Sequence, residues 1–238
     1  MIGYHDTNCY IRIANLIFEF NQKSLSERKT VSASKGLFHK DFPFVIPSIY
    51  RKVIDEYLVE LNLLSNQSSF YVDGLFSYGL LQSFDIFTNG YEPASHKYKI
   101  LDSLCKSCDL EYSLIEKYSK AILTISKTGS FKNTIDELDS NENKSIDGLL
   151  LRDILNNNNY YSRLHSIGLY EILRLEQEDD SDNEGTIKST LKLLVSLGFC
   201  ETRAEKDLTL YKSNIKRIKE AMELIKITNE ESRRKQET

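Results

Sequence analysis

An all-α fold is what this sequence predicts: a multi-helix bundle ending in a long, coiled-coil-like helix. Three observations carry that expectation. Apolar residues recur at intervals of three and four almost throughout, the period at which one face of an α-helix returns. The 238 residues include only three prolines, Pro43, Pro47 and Pro93, all placed to punctuate helices rather than interrupt them. After residue 30 there is no convincing apolar–polar alternation of the kind a half-buried strand needs.

Taken in order, the spacing predicts helices near 31–40, 47–65, 74–89, 93–108, 110–127, 130–138, 146–156, 160–177, 187–197 and 201–232. The domain reading is an extension of unknown role over 1–29, a bundle over 30–200, and a long last helix with a frayed tail over 201–238. Within 47–65, Tyr50, Val53, Ile54, Tyr57, Leu58, Leu61 and Leu64 form one broad stripe, and Pro47 sits where a first turn tolerates a missing N–H. Arg51, Lys52, Asp55 and Glu56 fall outside the stripe. As i,i+4 pairs, Arg51–Asp55 and Lys52–Glu56 add only a few tenths of a kcal/mol each. Val59 and Leu63 share that outer side, which implies a second packing layer or a surface for another protein.

The helix over 74–89, which opens GLFSYGLLQSFDIF (74–87), reads as apolar on all sides, and Gly79 permits close approach of a neighbouring helix. Asp85 is the only charge between Asp73 and Glu92. A buried carboxylate needs a cation or helix donors, so a pair with Arg163 or Arg51 is expected; the alternative is a solvent-edge position near the helix end. Gly90 and Gly198 suit the left-handed conformation that ends a helix, while Asp109, Ser130 and Ser145 suit N-caps. The Asn-rich 156–159 and acidic EDDSDNEG (178–185) read as loops, the latter a solvated connection or an electrostatic docking site. In 160–175, Tyr161, Leu164, His165, Gly168, Ile172 and Leu175 take one face and Ile167, Tyr170 and Leu173 the other, so this helix should be central. In the last helix Leu208, Tyr211, Ile215, Ile218, Met222 and Ile225 make an a/d seam. It either packs on its own bundle or protrudes to bind a partner, a second copy of the chain included. Lys212 and Lys216 beside it join Arg51, Lys52, Asp55, Glu56, Val59 and Leu63 as candidate partner contacts.

Several function classes are disfavoured. A net charge of −4 without a basic block argues against a nucleic-acid partner. No apolar run reaches the ~18–20 residues a membrane-spanning helix requires. Asp6, Glu19 and Glu27 are unlike an acid-poor transit peptide, and the expectation is a chain that stays where it is made, with peripheral membrane contact at most. Cys105-Lys-Ser-Cys108 invites a zinc or redox reading, but there is no second cysteine pair and no strand leading into the motif. Ala94, Tyr98, Leu101, Cys105 and Cys108 follow at spacings of four, three, four and three, so both thiols belong to an apolar stripe. The residues at i−3 from the four histidines are Ile2, Gly36, Pro93 and Ser162, so no Glu-x-x-His di-metal motif exists, and His165 reads as a hydrogen-bonded core residue. Neither a G-x-x-x-x-G-K-[ST] loop nor a G-x-S-x-G elbow occurs. The expectation is therefore no enzyme, no catalytic or metal site and no cofactor. A metal- or redox-active protein using Cys105 and Cys108 and a small-ligand sensor stand as alternatives.

Five blocks carry a family resemblance: TVS (30–32), IYRKVIDEYLVELNLL (49–64), FYVDGLFSYGLLQSFDIFTNGYEP (70–93), YSRLHSIGLYEILRLE (161–176) and KDLTLYKSNIKRI (206–218). In this order they resemble the thylakoid formation family, a photosystem II biogenesis family of cyanobacteria and plastids, over about residues 30–225. The chain departs from the family pattern at Ile86, where a basic residue usually follows the Phe-Asp pair, and at Lys35-Gly36. The resemblance implies an all-helical protein of the cyanobacterial cytoplasm or plastid stroma, peripheral on the thylakoid membrane. It would act in photosystem II assembly or repair, with the FtsH-type thylakoid protease or photosystem II assembly factors as partners.

Overall fold

In a computed structural model the protein is described over residues 28–128, 131–136, 145–155, 159–176 and 184–236. Its elements are α1 (Val31–Asp41), α2 (Ser48–Ser65), α3 (Gly74–Phe87), α4 (Ser95–Ser107), α5 (Tyr112–Thr128), α6 (Phe131–Asp136), β1 (Ser145–Ile146), β2 (Leu149–Leu150), α7 (Leu151–Ile154), α8 (Arg163–Glu176), α9 (Glu184–Ser196) and α10 (Glu201–Gln236). The all-α reading holds, with one small exception.

That exception is the predicted helix over 146–156. Ser145 and Ile146 instead pair antiparallel with Leu150 and Leu149. The turn between them is Asp147-Gly148, both with positive φ (51° and 75°), the geometry that suits a two-residue hairpin. Ser145 is thus a strand residue and no N-cap. Asp109 is also reassigned. With φ at 57° it closes α4 rather than opening α5: its N–H donates to Lys106 O and that of Leu110 to Cys105 O, the paired bonds of a Schellman motif. Gly198 ends α9 in the same way, as its position predicts. Ser130, residues 1–27, Asn156 to Asn158 and most of the acidic stretch 178–185 lie outside the described residues.

The centre of the bundle is the crossing of α3 and α8. Asp73 caps α3 by accepting from Phe76 N at 2.8 Å, and its backbone is extended, as an N-cap requires. A Cβ built on Gly79 would lie 1.9 Å from Leu164 O, and one on Gly168 2.1 Å from Leu75 O. The two backbones therefore touch, and only hydrogen fits between them. Around this crossing Leu75, Phe76, Leu80, Leu164, Leu169 and Ile172 are buried. α5 packs along α3, α9 and the first turns of α10 close over α8, and α1, α2 and α4 form a second group.

The predicted seam of α10 serves its own bundle first. Leu208 and Tyr211 are buried, and Ile215, Ile218 and Met222 pack against the core. Beyond Met222 the helix runs past the bundle, leaving Leu224, Ile225 and Ile227 exposed. No described helix is long and apolar enough to cross a membrane.

Candidate functional site

The outer face of α2 is one wall of an open groove of about 890 Å³. The opposite wall comes from Tyr160 to Arg163, at the start of α8, and from Arg203 and Asp207 of α10. Arg51, Lys52, Asp55, Glu56, Val59 and Leu63 all line it, so six of the eight residues singled out in the sequence share one surface. From Ser48 to Leu64 the wall is about 24 Å long at 1.5 Å per residue. Its periodicity is the reason: the stripe from Tyr50 to Leu64 buries against the core, which turns the positions between it outward. Val59 and Leu63 stay exposed there, Leu63 at 54%. Lys212 and Lys216 do not line the groove; Lys216 reaches Glu220 at 4.0 Å on the exposed side of α10. A second cavity of about 240 Å³ lies beyond Lys52, Glu56 and Arg163, closed by Asn214, Arg217, Ile218 and Ala221 of α10.

The groove's floor is a pair the sequence reading did not join. Arg163 Nε donates to Glu60 Oε2 at 2.8 Å, both side chains mostly buried. Burial pushes the Glu60 carboxyl above the usual range, and the Arg163 guanidinium opposes that rise. Arg163 is thus committed to Glu60. The expected Asp85–Arg163 pair does not form: Asp85 lies on the solvent side of α3, its side chain 73% exposed, and pairs with Lys97 of α4. Of its two readings, the solvent-edge one is correct. Asp85 ends an otherwise buried helix at a position that faces the exposed flank of α4, so no desolvation has to be offset. Arg51, the other cation considered, donates to Ile46 O at 3.3 Å. Asp55 takes Lys35 of α1 at 2.7 Å in place of Arg51, while Lys52 and Glu56 do meet, loosely, at 3.9 Å.

At the far wall the Arg203 guanidinium sits 4.9 Å from the Tyr161 ring centre, and Tyr161 OH donates to Asp207 Oδ2 at 2.8 Å. Beneath lies a polar cluster around His165, which is fully buried. Ser162 N donates to Nδ1 at 3.1 Å, which leaves Nε2 to carry the proton towards Asp73 Oδ2, 3.3 Å away. Asn159 Nδ2 donates to the same Asp73 oxygen at 2.6 Å. Ser162, His165 and Asp73 have the connectivity of a hydrolase triad, but His165 and Asp73 are sealed in the core, and Ser162, which borders the groove, is itself buried with its Oγ 3.1 Å from His165 Nδ1. The cluster instead ties the 159–162 segment to the cap of α3, in keeping with the core role expected of His165.

Cys105 and Cys108 are free thiols in the core. Burial is the largest cause pushing both thiols up, and Cys108 Sγ rests 3.7 Å from Leu58 O. A thiol held protonated is a poor nucleophile and a poor metal ligand. Tyr98, placed on the same stripe by its spacing, is 58% exposed against Tyr112. Among the described residues no three of His, Cys, Asp and Glu are grouped as metal ligands would be. What the groove offers is recognition: apolar patches set among charges of both signs.

The family model described as thylakoid formation protein matches residues 30–238. Protein Thf1 of Prochlorococcus marinus (strain MIT 9211) is 38% identical over 214 residues, which is 89% of this chain and 95% of that protein. Protein Thf1 of Prochlorococcus marinus (strain MIT 9313) is 40% identical over 218 residues, 90% of this chain and 89% of its own length. A solved structure of Psb29 is 30% identical, with a TM-score of 0.72 over 88% of this chain and 100% of that one. A match of this extent settles the lineage: the chain belongs to the thylakoid formation protein family.

Proposed function

We propose that this chain is a non-catalytic helical adaptor for photosystem II assembly and repair, and that it binds and supports the FtsH-type thylakoid protease while docked peripherally on the thylakoid membrane. Family membership supports the setting of thylakoid formation. The observation that carries the adaptor reading is the α2 groove: Val59 and Leu63 stay exposed among Arg51, Lys52, Asp55 and Glu56 on a helix whose other side is fully buried. Exposed apolar side chains rimmed by charge are the usual composition of a protein-binding surface. The mechanism is mass action. A protein that binds the assembled protease but not its separated subunits stabilises the assembly, by about 2.7 kcal/mol when it is present at a hundred times its Kd.

Capture from detergent-solubilised thylakoids tests this. The wild-type chain should retain the protease, and Val59→Arg with Leu63→Arg should lose it while keeping the same thermal unfolding. Absence of the protease from the wild-type eluate, or its equal recovery by the variant, refutes the reading. A second reading rests on groove volume, since about 890 Å³ is within the range of small-molecule sites. A thermal shift produced by a pigment precursor or sugar, and abolished by Leu63→Arg, would support a ligand sensor instead.

A further inference from the structure

We propose that the loop joining α1 to α2, residues 42–47, is a wedge by which this chain touches an anionic bilayer surface; this rests on the peripheral placement proposed above. The loop reads Phe-Pro-Phe-Val-Ile-Pro. Phe42 and Ile46 are buried and anchor it, while Val45 is 86% exposed and Phe44 49%. Alternation between anchor and tip is what an extended loop does when its two ends are pinned to a core. Pro43 and Pro47 fix φ on either side and contribute no N–H that a bilayer interface would leave unpaired. Phe44 is braced from below by the His96 ring, 4.6 Å between centroids, and by the Phe42 ring at 5.2 Å. The tip is therefore held outward, and docking does not require the loop to be ordered first.

Around this tip stand three cations without an ion-pair partner among the described residues. Lys99 Nζ lies 6.0 Å from the Phe44 ring centre, Arg51 Nη2 donates to Ile46 O at 3.3 Å, and Lys40 stands two residues before the loop on the last turn of α1. The nearest acid in sequence, Asp41, accepts from Ser103 Oγ at 2.6 Å. Two exposed apolar side chains cannot provide the ~800 Å² per partner of a stable protein interface. A bilayer surface asks for less: a shallow apolar wedge and a few bases near anionic headgroups. Arg51 borders both the wedge and the α2 groove, so seating the loop in lipid would hold the groove beside the membrane surface.

The sequence contains no tryptophan, so Val45→Trp places the only indole at the tip, where it can be excited selectively over the tyrosines. Titrated with vesicles of phosphatidylcholine plus phosphatidylglycerol at low salt, its emission should shift to the blue, and phosphatidylcholine alone should leave it unchanged. Neutralising one lysine should weaken binding about fivefold, so Lys40→Gln with Lys99→Gln should weaken it about 25-fold. Val45→Asp, measured by cosedimentation, should lose at least about tenfold in partitioning while its unfolding temperature is unchanged. No shift on anionic vesicles, an equal shift on neutral ones, or undiminished binding by Val45→Asp overturns the proposal. A shift obtained only with membrane proteins present overturns it in favour of a protein partner. Failure here is separable from failure of the adaptor reading: Val59→Arg with Leu63→Arg should bind anionic vesicles at least as tightly as wild type, and Val45→Asp should still capture solubilised protease.

Discussion

Replacing Gly79 by alanine adds one methyl group at the point where α3 and α8 touch. The built Cβ lies 1.9 Å from Leu164 O and 2.8 Å from Gly168 N, both backbone atoms that no rotamer change can move aside. An ordinary carbon–oxygen contact is about 3.3 Å, so the helices must part by about 1.4 Å. Gaps of 0.5–1 Å already forfeit a quarter to a half of each dispersion contact, and the side chains around the crossing are fully buried. The expected cost is about 3 kcal/mol, the upper end for overpacked cores. Helix propensity returns about 1 kcal/mol, leaving about 2 kcal/mol net destabilisation. Gly36→Ala is the control. It is also helical, but nothing lies within 4 Å of its built Cβ, so only propensity acts and about 0.5–1 kcal/mol of stabilisation is expected. Urea midpoints at constant m report both. The close-approach reasoning fails if Gly79→Ala is as stable as wild type, or if the two substitutions move the midpoint in the same direction.

Three further predictions follow from the polar contacts. Arg163→Ala leaves the Glu60 carboxylate buried without its cation, and should cost about 3 kcal/mol near pH 7. Because the folded-state carboxyl is raised by burial and raised further without Arg163, folding takes up a proton at Glu60 as pH falls; the deficit should shrink from pH 7 towards pH 4.5, and a pH-independent deficit would refute this. His165→Ala leaves the Ser162 N–H without its acceptor and Asp73 Oδ2 with Asn159 alone, and opens a cavity in the core, so it should cost about 2–4 kcal/mol by urea denaturation, whereas Asp73→Asn, which keeps the cap acceptor, should cost less. Cys105 and Cys108 should react with Ellman's reagent only as fast as the protein opens, while exposed Cys200 reacts at once; rapid labelling of either core thiol would restore the redox reading.

How far each feature could be read from the chain depends on how local its cause is. The stripe of α2, the all-round apolarity of α3, the central place of α8 and the core location of Cys105 and Cys108 follow from which residue types return every 3.6 positions, and the structure agrees with each. Gly79 announced a close helix contact because no other residue type would suit one. The hairpin at 145–150 was legible too, through Asp147-Gly148, but a strand of two residues is too short for any alternation to register. Asp109 was misassigned because a short acidic side chain suits both an N-cap and a left-handed C-terminal position, and the choice is made by where α4 ends.

Pairings belong to another order of information. Glu60 and Arg163 are 103 positions apart, and Tyr161 and Asp207 46 apart. Such partners meet only because α2, α8 and α10 converge, and Coulomb and hydrogen-bond energies count only once separations fall to a few ångströms. Asp85 is the instructive case: its isolation among apolar neighbours in sequence suggested burial, but the packing of α4 alongside α3 gave it Lys97 and an exposed flank. The chain's own periodicity thus decided which residues face inward. Which charges meet, and that six outward residues of α2 line a single groove, depended on the crossing of helices distant in sequence, which no local spacing encodes.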